Sequence, residues 1–241
     1  MNKQKFLPVI LLGFVITLLG GCASGDGLES YNRSMYSINK TVDKYTLKPI
    51  TKVYRAITPD PVEKGVGNFF NNIGEVGTFA NSLLQGKIDN AILSSSRFVW
   101  NTTVGLGGIF DVATAMNIKA NKEDFGQTLQ TWGVPAGPYV VLPFFGPSTL
   151  TDSVGLVGDT FLSPINRYKW HSNRLRNSVI GLYYVDRRSR LFKAEKMLNS
   201  ASVDEYSFVK NTYLQHRQAL VKDGKVENKA MEDDLDDLYG E

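Results

Sequence analysis

With 241 residues, 42% of them apolar and 21% charged, the chain is long enough to bury a sizeable core and short enough for one domain or at most two. Its formal net charge of +3 comes from 27 basic and 24 acidic residues, a near balance that does not point to nucleic acid. The single cysteine rules out intrachain disulfides and a thiolate metal cluster.

The N-terminus carries the sharpest local signal. "MNKQK" is a short basic region, and Phe6 to Leu19 is an uncharged, mostly apolar run of secretory-signal length, too short for a comfortable membrane span. "LLGGC" then resembles the bacterial lipobox: small residues at Gly20 and Gly21 fit a peptidase groove, and Cys22 becomes the lipidated first residue. This predicts a lipoprotein signal peptide over 1–21 and a lipidated linker over 22–30. The acyl chains, at about 0.8 kcal/mol per buried methylene, hold such a protein on a membrane. Ser24 lacks the aspartate that retains enterobacterial lipoproteins in the inner membrane, so the expected location is the outer membrane.

Apolar positions at Tyr31, Met35, Ile38, Val42 and Tyr45 predict a helix from Tyr31 to Tyr54, kinked or ended at Pro49. "TPDP" at Thr58 is a turn and helix start. Phe69, Phe70, Ile73, Val76, Phe79, Leu83 and Leu84 keep helical spacing up to Gly86. Lys87 to Thr103 is a further helix with Ile88, Ala91, Ile92, Val99 and Trp100; Gly105, Gly107 and Gly108 then break the chain. Glu123 to Trp132 predicts a short amphipathic helix, and Thr149 to Phe161 a longer one, with "YVVLPF" between them at most a short strand. Arg167 to Lys193 holds eight bases against one acid, Asp186, and reads either as a solvated helix face or as an attraction for anionic headgroups. Ser202 to Val221 is a helix with a capping box at Ser202 and Glu205 and a stop at Gly224. The tail over 225–241 ends in "MEDDLDDLYGE", either a solvating acidic tail or a short docking helix. The chain reads as all-α, with its main domain over 31–224.

Enzyme signatures are scarce. His171 and His216 have no metal-ligand spacing, no G-x-S-x-G elbow occurs, and the glycines at 105–108 lack the strand and lysine of a phosphate loop. Asp111, Asp124, Asp152 and Asp159 fit either acid–base chemistry or helix caps. Two long uncharged runs, Phe98–Phe110 and Phe125–Thr151, read either as glycine-rich core or as an irregular wall at membrane depth, where broken backbone survives only against protein or along a cavity.

"YNRSMYSINKTVD", "VGNFFNN", "NSLLQG", "RFVWNTTVGLGGIFDVA", "DFGQTLQTWGVPAGPYVVLPFFGPSTLTD" and "DDLDDL" follow Cys22 in order. Together they resemble the MlaA (VacJ) family of phospholipid-trafficking lipoproteins. The resemblance implies an all-α, ring-shaped single domain in the inner leaflet of the outer membrane, with a central amphipathic channel. Through it, mislocalised phospholipids leave the outer leaflet for a periplasmic MlaC-like carrier, beside a trimeric porin, with no catalysis, metal or cofactor. It places Asn68, Phe69, Phe70 and Trp100 at the membrane face, and Trp132, Gly133, Gly137, Pro138 and Tyr139 in a loop beside the channel. It places Asp234, Leu235 and Leu238 in a carrier-docking tail. A headgroup in the passage needs polar partners, for which Lys169, Arg174 and Arg176 are the candidates. The segment "AMNIKANKED" matches no firm family pattern. The rival readings are a surface phospholipase and a structural, porin-bracing lipoprotein.

Overall fold

The computed structural model describes residues 25–201 and 204–223; Cys22 and the tail residues Asp234, Leu235 and Leu238 lie outside them. Among the described residues the fold is helical with one two-stranded hairpin, as expected, and no helix is long and apolar enough to cross a membrane.

The first helix, α1 (Gly25–Tyr45), breaks at Thr46 and continues as α2 (Leu47–Ile57). The break precedes Pro49 because a proline ring clashes with the carbonyl four residues back, here Tyr45. Pro49 then sits in the first turn of α2, where a missing N–H costs nothing. Helix α3 (Asp60–Leu84) starts with Asp60 and Glu63 in its first turn and packs along α4 (Ile88–Thr103). A short α5 (Val112–Ala115) is capped by Asp111, and α6 (Phe125–Thr131) by Asp124, each carboxylate accepting a backbone N–H.

Strands β1 (Tyr139–Leu142) and β2 (Gly146–Thr149) pair antiparallel, from Tyr139 opposite Thr149 to Leu142 opposite Gly146. The hairpin's free edge is completed by α1. Asn32 donates to Tyr139 O at 3.0 Å and accepts from Val141 N at 2.7 Å; Asn39, two turns on, donates to Leu142 O at 2.8 Å and accepts from Phe144 N at 2.9 Å. Each side-chain amide thus replaces a peptide of a missing third strand. The hairpin leads into α7 (Leu150–Leu162), capped by Thr149, then α8 (Pro164–Arg167), α9 (Asn173–Ala201) and α10 (Glu205–Val221). The cap of α10 is Asp204, which accepts from Ser207 N, rather than the expected Ser202.

Polarity is inverted in this fold. Among the described residues, seven apolar or aromatic side chains are buried, including Phe70, Val141 and Tyr206, against twenty polar or charged ones. On α4, Ala91, Ser94, Arg97 and Asn101 turn inward, while Ile88, Ile92, Val99 and Trp100 are exposed. On α3, Asn72, Glu75, Thr78 and Asn81 are buried, while Phe79, Leu83 and Leu84 are exposed.

Candidate functional site: a polar interior

Buried charges survive only when paired, and three of the inward-facing charges here, Arg97, Glu123 and Arg217, are each held by several partners. Arg97, the sole charge between Asp89 and Asp111, donates to Glu75 at 2.8 Å, to both oxygens of Asp111 at 3.0 and 3.1 Å, and to Ile118 O at 2.6 Å. Asn101 completes this knot by donating to Asp111 at 3.0 Å and accepting from Ala113 N at 2.9 Å. Burial pushes the Glu75 carboxyl above its ordinary range and outweighs the pull of Arg97.

A second knot surrounds Glu123, which accepts from Gln85, Lys87 and Asn90 at 3.0, 3.0 and 3.1 Å. Beside it a solvent-open cleft of about 720 Å³ lies between the start of α4, residues 120–123 and the end of α10. A third knot centres on Arg217, which binds Asp124 and Asp152, the latter also accepting from Tyr213 OH at 2.7 Å. Burial raises the Asp124 carboxyl, but the Arg217 guanidinium overrides it and holds the group below the usual carboxylate range. Among the described residues, Asp159 has no cation partner in hydrogen-bond contact. It accepts from Phe125 N at 2.9 Å and from Asn81 at 3.1 Å, and burial, reinforced by the charge of Asp124, pushes it up to about 6.

The four aspartates singled out in the sequence are thereby accounted for: Asp111 and Asp124 are caps, Asp152 is an ion-pair member, and Asp159 is a half-buried acceptor. Among the described residues no group of histidine, cysteine or carboxylate side chains is placed to hold a metal ion.

The expected site residues separate. Phe69 and Trp100 are exposed, as a membrane face requires, but Phe70 is buried against Tyr183 with ring centroids 5.2 Å apart, and Asn68 donates to Ile109 O at 3.0 Å. Phe70 therefore belongs to the interior, because it follows the α3 face that carries Gly67 and Glu75. Trp132 is exposed and donates to Leu84 O at 2.9 Å; Gly133 and Gly137 have φ of +93° and +71°; Pro138 is exposed. Tyr139 leaves the loop, since it is the first residue of β1 and packs with Val141 and Tyr206. Lys169, Arg174 and Arg176 are exposed, and among the described residues none forms an ion pair. Arg97 and Arg217 were not singled out in the sequence. For Arg97 the signal was present: a lone charge in the uncharged stretch between Asp89 and Asp111 is costly to bury unless it is paired.

Apolar groups outside and paired polar groups inside define a class: helical proteins folded for surroundings other than bulk water. The chain belongs to the MlaA lipoprotein family, which matches residues 24–220. It is 34% identical to the intermembrane phospholipid transport system lipoprotein MlaA of Escherichia coli (strain K12), and 32% identical to the protein of that name from Haemophilus influenzae (strain ATCC 51907 / DSM 11121 / KW20 / Rd). Each match covers 98% of both chains. Its fold is similar to a solved structure, from work on the structural basis for maintenance of bacterial outer membrane lipid asymmetry, with 31% identity and a TM-score of 0.66. That similarity covers 80% of this chain and 98% of the other.

Proposed function

We propose that this protein is the outer-membrane component of a phospholipid transport system. Residues 1–21 are removed, and Cys22 carries the acyl anchor. The helical domain lies in the inner leaflet as a ring around an amphipathic channel. Phospholipids mislocalised to the outer leaflet pass through it to a soluble periplasmic carrier resembling MlaC, and lipid asymmetry is maintained. The domain sits beside a trimeric porin, and the tail around Asp234, Leu235 and Leu238 docks the carrier.

The inverted polarity carries this reading. A lipid headgroup stripped of water needs polar partners, whereas acyl chains and the surrounding leaflet need apolar ones. The relatives named as transport-system lipoproteins support it over the phospholipase and porin-bracing alternatives. In a strain lacking the gene, phospholipid should accumulate at the cell surface and resistance to SDS with EDTA should fall, both restored by the wild-type chain. Normal surface lipid in that strain would sink the transport reading, and fatty acid or lysolipid released by the purified protein would favour an esterase.

A further inference from the structure

Between Asp159 and Asp186 the chain carries no carboxylate, and Arg167, Lys169, Arg174 and Arg176 fall within ten residues of that stretch. All four are exposed, and among the described residues none of them forms an ion pair. Arg176 reaches only the Asn177 side chain, at 3.4 Å. Arg174 and Arg176 also open α9, at the end of a helix where cations are disfavoured. Four like charges with no neutralising acid cost the free protein stability, so the cluster fits an anionic surface outside the chain.

The corner that carries them is held by its own hydrogen bonds. Tyr168 N donates to Pro164 O at 2.9 Å, Trp170 Nε1 donates to Ile165 O at 2.9 Å, and Ser172 Oγ accepts from Leu175 N at 3.1 Å at the start of α9. The Tyr168 and Trp170 rings meet edge to face with centroids 5.1 Å apart. Tyr168 is exposed, and Lys169 stands between the two aromatics in sequence. The corner is also tied to α7, because Ser163 N donates to Asp159 O at 2.8 Å and Asn166 donates to Thr160 O at 3.3 Å.

Helix α7 turns Thr151, Asp152 and Gly155 inward and leaves Val154, Val157 and Phe161, three and four residues apart, more than half exposed. At about 1.5 Å per residue this stripe runs roughly 10 Å, within the roughly 15 Å of hydrocarbon in one leaflet. Along the chain the apolar stripe gives way to a corner where aromatics and cations interleave. A leaflet changes in the same order, from hydrocarbon to an interface of charged headgroups. An acidic protein partner would account for the cations but not for this gradation.

We propose that the α8–α9 corner docks on the anionic headgroups of the leaflet that holds the domain, with Arg167, Lys169, Arg174 and Arg176 as its cations and Tyr168 and Trp170 at the interface. The inference rests on the transport reading, deepens it by naming acidic phospholipid as the lipid that seats the domain, and takes these cations out of the passage.

The test is sedimentation of the mature full-length chain with phosphatidylcholine vesicles, prepared with and without phosphatidylglycerol. The parent carries Cys22→Ser, so that the corner and not the acyl anchor is read. It should bind the phosphatidylglycerol vesicles more tightly. Each of Lys169→Gln, Arg174→Gln and Arg176→Gln should weaken that binding roughly fivefold, which is about 1 kcal/mol for one cation near an anionic surface. None should change binding to pure phosphatidylcholine or the melting temperature, since the side chains are exposed and unpaired among the described residues. Tyr168→Ala should weaken binding to both kinds of vesicle. Lys119→Gln, at an exposed cation elsewhere, should leave the anionic preference intact. An equal loss with Lys119→Gln would overturn the patch in favour of net charge alone. A parent that binds the two vesicles alike would overturn it as well. A preference that appears only once residues 225–241 are removed would overturn it too, by making the chain's own acidic tail the occupant. Each of these results leaves the transport reading standing, whose own test is surface lipid in the strain lacking the gene.

Discussion

Arg217 grips Asp152 through Nε at 2.9 Å and Nη2 at 2.6 Å, while its guanidinium also holds Asp124. The two aspartates are the ends of the long uncharged run, so one arginine on α10 closes the whole span of α6, the hairpin and the start of α7. Arg217→Met strands the buried Asp152 carboxylate and the half-buried Asp124 and should cost about 3 kcal/mol in guanidinium unfolding. Changing Asp124 and Asp152 to Asn as well removes the stranded charges and keeps the α6 cap, so the triple variant should recover most of the loss. A single variant as stable as the wild type would mean that the ion pairs contribute nothing.

Asp159 gives stability a pH dependence of opposite sign to that of Asp124. Its folded pKa of about 6 lies above its ordinary value of 3.8, so between them the folded chain binds the proton more tightly than the unfolded one. Its contribution is therefore fully present below that window and is lost as pH rises through it. Asp159→Asn keeps an acceptor for Phe125 N and Asn81 Nδ2 and removes the charge. It should stabilise the protein at neutral pH by on the order of 2 kcal/mol and flatten the pH profile of the melting temperature across the window. An unchanged profile would show that the carboxyl titrates normally.

The contact of α6 with α7 is made by glycines. A Cβ on Gly155 would lie 2.5 Å from Gly126 N and 2.6 Å from its Cα, against backbone that cannot swing away. Gly155→Ala should cost roughly 1–3 kcal/mol as the helices are forced apart. Gly77, inside α3, has nothing within 4 Å of its Cβ position, so Gly77→Ala should gain about 0.5–1 kcal/mol from the better helix former. Chemical denaturation of the two variants should move in opposite directions.

Much of this architecture was legible in the sequence, because apolar residues at helical spacing mark helices whatever surrounds them. Ile88, Ile92, Val99 and Trp100 fixed α4 in this way. Periodicity does not say which face looks inward, and on α4 the polar face does, through Ser94, Arg97 and Asn101. The hairpin was nearly invisible: its strands are four residues each, and its outer edge is satisfied by Asn32 and Asn39, more than a hundred residues away in sequence. The ion-pair knots escaped for the same reason, since Asp124 and Arg217 are neighbours only in the fold.

The outward stripe of α4 gives the most direct test of the surroundings. If Ile92 and Val99 face lipid, protein lacking the acyl anchor through Cys22→Ser should still bind phospholipid vesicles, because the apolar exterior remains. Each of Ile92→Glu and Val99→Glu should then weaken vesicle binding by about 1.5–3 kcal/mol, the value of an apolar side chain removed from water. Both side chains are more than half exposed, at 58% and 54%. Their replacement should leave the unfolding midpoint within about 0.5 kcal/mol of the parent, as expected at a surface. Stability and membrane affinity therefore separate in one experiment. Vesicle binding unchanged in both variants would place this stripe in water or against protein.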